Sequence, residues 1–227
     1  MELSLRKSAI IAGTGYILIF VLGLITNFSV FEKLIITGDA ATTTNNIMEQ
    51  TTVFRLGLVS WLVVLICDTI IAWALFYLFK PVSRSGSLLV ALFRIVYIVV
   101  FGAALTNLVS VLHIIGHPVG NTAYMQGQVM LFMDAYTYGF HFGIIFFGVH
   151  LFLMGYLMFR SGFMSKWVGI LLIIAGVGYL VDSFSNILSP AYTANKTASL
   201  FVVAIPAIIA ELAFTIWLLM KAGKNKV

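Results

Sequence analysis

Six stretches of this chain run for more than twenty residues with hardly a charge among them: Ser8–Phe31, Val53–Phe79, Ser87–Ile115, Ala135–Phe159, Lys166–Leu188 and Ser199–Met220. A helix rises about 1.5 Å per residue, so about 20 apolar residues cross the ~30 Å hydrocarbon layer of a bilayer. In lipid every backbone N–H and C=O must find its partner inside the protein, which leaves only helices and closed barrels. These runs are far too long for barrel strands. The expectation is an all-α polytopic bundle of six transmembrane helices, forming a single domain over residues 1–227.

Composition agrees. The 227 residues are 61% hydrophobic and 9% charged, whereas a soluble domain carries ~25% charged residues. The net charge of +5 does not point to nucleic acid, because the Lys and Arg residues sit in short turns between the apolar runs. Such clustering is the topology bias of membrane proteins. One side of the bundle collects Arg6, Lys7, Lys80, Arg84, Arg160, Lys166, Lys221, Lys224 and Lys226; the other collects Lys33, Lys196 and Arg55. Nine against three places both termini in the cytoplasm of a multi-pass protein of the cell membrane, with the lipid bilayer as its first partner. The first run follows Arg6 and Lys7, but it is longer than a signal-peptide core and no small-x-small site follows it, so it reads as a retained span. Cys67, the single cysteine, excludes a disulfide within the chain.

Between the spans, Gly38-Asp39 before Ala40 and Ala41 predicts a capped surface helix running toward Gln50. Gly116, Pro118 and Gly120 break the third helix, and 123–132 reads as a separate interfacial helix that re-enters the membrane. Gly139 and Gly143, Gly169, Gly176 and Gly178, and Ala207, Ala210 and Ala213 allow close helix approach. Pro206 predicts a kink in the sixth helix that frees the carbonyl of Val202.

The functional signal lies in the ionisable residues inside the apolar runs. Each costs about 2.5–3.5 kcal/mol on insertion scales, so those that persist usually face inward and pair. Counting residues from the nearer helix end puts Asp68 ~16 Å deep, Glu211 and His150 ~14 Å, and Arg94 ~10 Å with a side chain able to reach further. Asp182 and His141 lie ~9 Å from the opposite edge, near Arg55 and Asp134. Two layers are expected: a central one of Asp68, Arg94, His150 and Glu211, and an outer one of Arg55, Asp134, His141 and Asp182. His141 and His150, nine residues apart, fall on opposite helix faces and do not share a metal on an unbroken helix. Two arginines face four acids, Asp68, Asp134, Asp182 and Glu211. The unmatched negatives require protons, histidine cations, a bound cation or a wet cavity. His113 and His117 have the i, i+4 spacing of a metal pair but sit where the helix ends. No Walker, G-x-S-x-G, H-E-x-x-H or C-x-x-C motif occurs.

Several segments together carry a resemblance over nearly the whole length. They are GDAATTTNNI, FRLG at Phe54–Gly57 with Asp68 after it, KPV at Lys80–Val82 followed by ALFR ending at Arg94, FMDAYTYG, FFGVHLFLMGYLMFRSGFMSKWVGILL and GVGYLVDSF, and then Glu211. In these the chain resembles the membrane family filed as domain of unknown function 4386. The resemblance implies a six-helix bacterial membrane protein and brings no reaction, substrate or cofactor with it.

Three functional readings stay open on the residues. The first is a protein that binds or carries a small molecule, proton or cation. Its cavity would open outward, lined by His141, Asp182, Arg55 and Asp134, with Asp68, Arg94, His150 and Glu211 deeper. The second is an intramembrane hydrolase using His150 or His141 with Asp182 or Glu211, or a divalent metal held among His150, Asp182 and His141. The third is a non-catalytic structural or regulatory subunit. The sequence does not set the oligomeric state.

Overall fold

A computed structural model of the protein describes residues 3–189, 203–220 and 222. Helix α1 (Leu5–Thr26) is capped by Ser4, whose hydroxyl accepts from the Lys7 amide. It continues through a π-helical turn at Asn27–Phe31 and a last turn at Glu32–Leu34. Next come α2 (Ala40–Glu49), α3 (Thr51–Phe79) and α4 (Arg84–Gly116). Then follow α5 (Thr122–Arg160), α6 (Lys166–Leu188) and α7 (Ile205–Met220). The capping chemistry is local and strong. Ser83, Asn121 and Ser165 accept from the Gly86, Tyr124 and Val168 amides, each satisfying an orphan donor of a helix's first turn.

Among the described residues five helices are long and apolar enough to cross a membrane: Leu5–Leu34, α3, α4, α5 and α6. Large apolar side chains such as Ile25, Leu56, Val99 and Leu131 are exposed on them, as expected where the surrounding solvent is lipid rather than water. The chain is therefore a multi-pass membrane protein in contact with the bilayer. The described part of the sixth run is the sixteen-residue apolar helix α7. Its expected start at Ser199, the carbonyl of Val202, Lys196 and the basic tail residues Lys221, Lys224 and Lys226 lie outside the described residues.

One expectation is corrected. Residues 123–132 are not a separate interfacial helix; they are the first turns of α5, which runs unbroken for 39 residues. At 1.5 Å per residue that is about 58 Å, well beyond the hydrocarbon layer. Asn121 starts the helix earlier than the apolar pattern suggested, and Gln126 and Gln128 hid its continuity from a hydropathy reading. The capped helix after Gly38-Asp39 forms as expected: Asp39 accepts from the Thr42 amide at 2.9 Å and from its hydroxyl at 2.7 Å. It packs against the extended part of α5.

Consecutive long helices lie side by side, α1 on α3, α3 on α4, α4 on α5, α5 on α6 and α6 on α7, and α7 returns to α1. The described helices thus close a ring. At the α5–α6 crossing Gly148 faces the Gly176 backbone and Gly155 faces that of Gly169. Gly139 sits against Ala104 where α4 crosses α5. Arg6 joins the first helix to the last: its guanidinium donates to the carbonyls of Leu218 and Ala222 at 3.1 Å and of Leu219 at 2.5 Å. A cation there satisfies the orphan carbonyls and complements the negative end of α7.

Candidate functional site

Arg94 sits at the centre of the ring, on α4, and is fully buried. Such a charge survives only with a partner and with its donors filled. Asp68 on α3 supplies the countercharge. Its Oδ1 accepts from Arg94 Nε at 3.0 Å and also from Nη2. Nη1 donates to the Tyr16 hydroxyl of α1 at 2.5 Å and lies 3.1 Å from His150 Nε2 of α5. Four helices meet on one guanidinium. Its planar face is covered as well, with Cζ 4.8 Å from the Tyr16 ring centre and 5.4 Å from that of Phe147.

The hydrogen bonds fix the state of His150. Arginine only donates, so Nε2 accepts; Nδ1 lies 2.8 Å from the carbonyl of Val90, so it carries the proton and donates. Both ring nitrogens are occupied, and His150 is a neutral strut rather than a free base or a metal ligand. Arg94 and Asp68 neutralise each other, and the histidine cation that could have balanced a further acid is not available.

Beside this knot lies a cavity of about 460 Å³. Its wall is mostly aromatic and aliphatic, with Tyr16, Trp61, Tyr97, Phe147 and Tyr179 prominent. Two carboxylates reach it, Asp68 from α3 and Glu211 from α7. Among the described residues, Glu211 has one side-chain partner: the Tyr179 hydroxyl donates to Oε1 at 3.1 Å. Among the described residues the Trp61 indole N–H has no hydrogen-bond partner. Ile17 and Leu24 of α1 and Ile208 and Leu212 of α7 line the cavity and are also exposed on the outer surface. The described walls therefore reach the lipid-facing side along the α1–α7 seam.

The eight residues singled out from the sequence separate into three groups. Asp68, Arg94 and His150 come together in one network. Glu211 lines the same cavity, and among the described residues it makes no hydrogen bond to that network. The outer layer does not assemble. His141 Nδ1 and Asp182 Oδ2 approach to 4.0 Å, too long for a hydrogen bond, and His141 Nδ1 is buried without a hydrogen-bond partner among the described residues. Arg55 and Asp134 are exposed. None of these four lines the cavity, so the expected outward-opening chamber of His141, Asp182, Arg55 and Asp134 is replaced by one bounded by Asp68 and Glu211. Among the described residues no three His, Cys, Asp or Glu side chains converge as metal ligands. His150, His141 and Asp182 thus do not fit a common divalent site. His113 and His117 lie with ring centres 4.9 Å apart where α4 ends at Gly116.

Sequence reasoning missed the tyrosines. Tyr16 follows Ala9, Ala12 and Gly13, all buried, at seven, four and three residues. That stripe of small residues marks α1's inner face, and Tyr16 is the polar group on it. Tyr179 sits three residues before Asp182, inside an apolar run where an aromatic ring raises no alarm.

The family model described as Domain of unknown function (DUF4386) matches residues 11–222, and the chain belongs to that family. The matched span includes every residue of the central network and of the cavity. An uncharacterized protein of Archaeoglobus fulgidus is 31% identical over 168 residues, which cover 74% of this chain and 85% of that protein. This relative is archaeal, so the similarity does not tie the chain to bacteria. No solved structure matches the chain.

Proposed function

We propose that the protein is a six-span, single-domain component of the cell membrane with both termini in the cytoplasm, and that it binds and carries a small molecule held in the cavity between α1, α3 and α7. The basic residues of one end support the orientation. Arg6 caps α7 there, and Lys80, Arg84, Arg160 and Lys166 flank the turns that return to it. The observation that carries the binding reading is Glu211: a carboxylate facing an aromatic cavity with a single hydroxyl donor. An apolar chamber with a few convergent polar groups is the general form of a small-molecule site. A wholly structural acid would be expected in a filled network like that of Arg94.

The hydrolase reading has less support. Its strongest base, His150, has both nitrogens engaged, and a water-activating metal would lack its ligand set. The subunit reading accounts for the Arg94 network but leaves the cavity without a purpose.

Gly23 provides the test. It lines the cavity, and a side chain added there meets nothing within 4 Å. Gly23→Leu should fill the chamber without disturbing the fold. Protein released from lipid nanodiscs into a mass spectrometer should carry a bound small-molecule mass in the wild type that Gly23→Leu lacks. The same adduct in both proteins, or none in either, would refute the reading.

A further inference from the structure

We infer that the cavity is built for an organic monocation with an apolar body, a protonated amine or quaternary ammonium, entering from the bilayer along the α1–α7 seam. The inference rests on the small-molecule reading above and names its ligand class.

Charge decides first. The Asp68 countercharge is used by Arg94 through two hydrogen bonds to one oxygen. Glu211 has no cationic partner among the described residues, and its one side-chain bond comes from the neutral Tyr179 hydroxyl. An anion would meet the Glu211 carboxylate and no uncommitted cation among the described lining residues, which disfavours anionic ligands. A neutral ligand would require Glu211 to take up a proton, whereas a cation pairs with the ionised carboxylate and needs no proton uptake.

The wall decides between kinds of cation. Inorganic cations such as Ca²⁺ and Mg²⁺ demand about six or more oxygen ligands. Here the lining is dominated by Trp61, Tyr97, Phe140, Phe147 and Tyr179. Rings of this kind attract alkylammonium groups through their electron-rich faces, most strongly where water is excluded. The protein already uses that chemistry next door, with the Arg94 guanidinium between the Tyr16 and Phe147 rings. The route decides the body. Ile17, Leu24, Ile208 and Leu212 line both the cavity and the lipid-facing surface, so a molecule using this seam must first partition into the membrane. About 460 Å³ accommodates a ring and an ammonium head together.

The test uses the full chain in nanodiscs and two probes of one shape: 3-phenylpropyl-trimethylammonium and its uncharged tert-butyl analogue, with carbon in place of nitrogen. Isothermal titration should show the cation binding at least tenfold more tightly in the wild type. Glu211→Gln should abolish that preference while keeping the affinity for the neutral probe. Trp61→Leu, which leaves the acid in place, should weaken the cation severalfold more than the neutral analogue. Equal affinities in the wild type, or a preference that survives Glu211→Gln, would overturn the cation inference and leave the cavity reading intact. Failure of both probes to bind would also overturn it, and the cavity reading would then be judged by the Gly23→Leu spectra alone.

Discussion

Replacing Arg94 by Met keeps the length and much of the volume of the side chain but removes its charge and all of its donors. Asp68, 2% exposed, is then left without its countercharge, and the Tyr16 hydroxyl and His150 Nε2 lose the donor they share. Breaking a buried ion pair from one side costs about 3–5 kcal/mol, because the surviving charge stays in a low-dielectric place. The further losses at Tyr16 and His150 fall within one network and do not simply add. For a chain of this size, about 2–4 °C of melting temperature per kcal/mol makes the expected drop on the order of 10 °C. Adding Asp68→Leu removes the stranded charge, and replacement of a whole buried pair by apolar groups is often close to neutral. The double variant should therefore melt well above Arg94→Met alone. The assay is thermal unfolding in nanodiscs followed by tryptophan fluorescence, run as a full double-mutant cycle. Additive losses, with the double variant as unstable as the two singles summed, would refute the claim that Arg94 and Asp68 stabilise one another.

Two further outcomes follow from geometry away from the cavity. Gly155→Ala would drive a methyl against the Gly169 carbonyl oxygen and to 3.0 Å from the Ile173 amide nitrogen; parting α5 and α6 should cost about 1–3 kcal/mol, whereas Gly162→Ala, with nothing within 4 Å, should melt like the wild type. In the loop outside the spans, the Thr42 amide and hydroxyl hold the Asp39 carboxyl below its usual range, so its contribution to α2 is complete above the ordinary aspartate value of about 3.9 and is lost as pH falls through the lower folded value. Hydrogen exchange of the Thr42 and Thr43 amides should therefore accelerate relative to the rest of the protein only below about pH 4, and Asp39→Asn, an uncharged cap, should remove that dependence.

Five of the six expected spans were legible because lipid imposes a length and a composition that few other environments share. Depth was legible too: counting residues from helix ends brought Asp68, Arg94 and His150 to one level, where they meet. Rotation was not. Nothing in the count tells which way a helix faces its neighbours, so Arg55 and Asp134, at the right height, turn outward, and Glu211 accepts from Tyr179 at the cavity wall instead of joining the knot. The tyrosines were opaque for a different reason. Tyr16 and Tyr179 carry one polar atom on a large apolar ring, and within a hydrophobic run their burial is unremarked until a guanidinium or a carboxylate is found against the hydroxyl. The length of α5 was hidden by its own polar first turns, where cap chemistry at Asn121 outweighs hydropathy.

Neighbourhood of the first and last helices has a consequence for biogenesis. While the ribosome is still making α6, the nascent chain already holds every member of the Arg94 knot, since Tyr16, Asp68, Arg94 and His150 are all translated by then. The chamber wall is not yet complete, because Ile208, Glu211, Leu212 and Thr215 arrive only with α7. A product stopped before Ile205 would thus hold every residue of the ionic centre but lack the side of the chamber that the last helix closes.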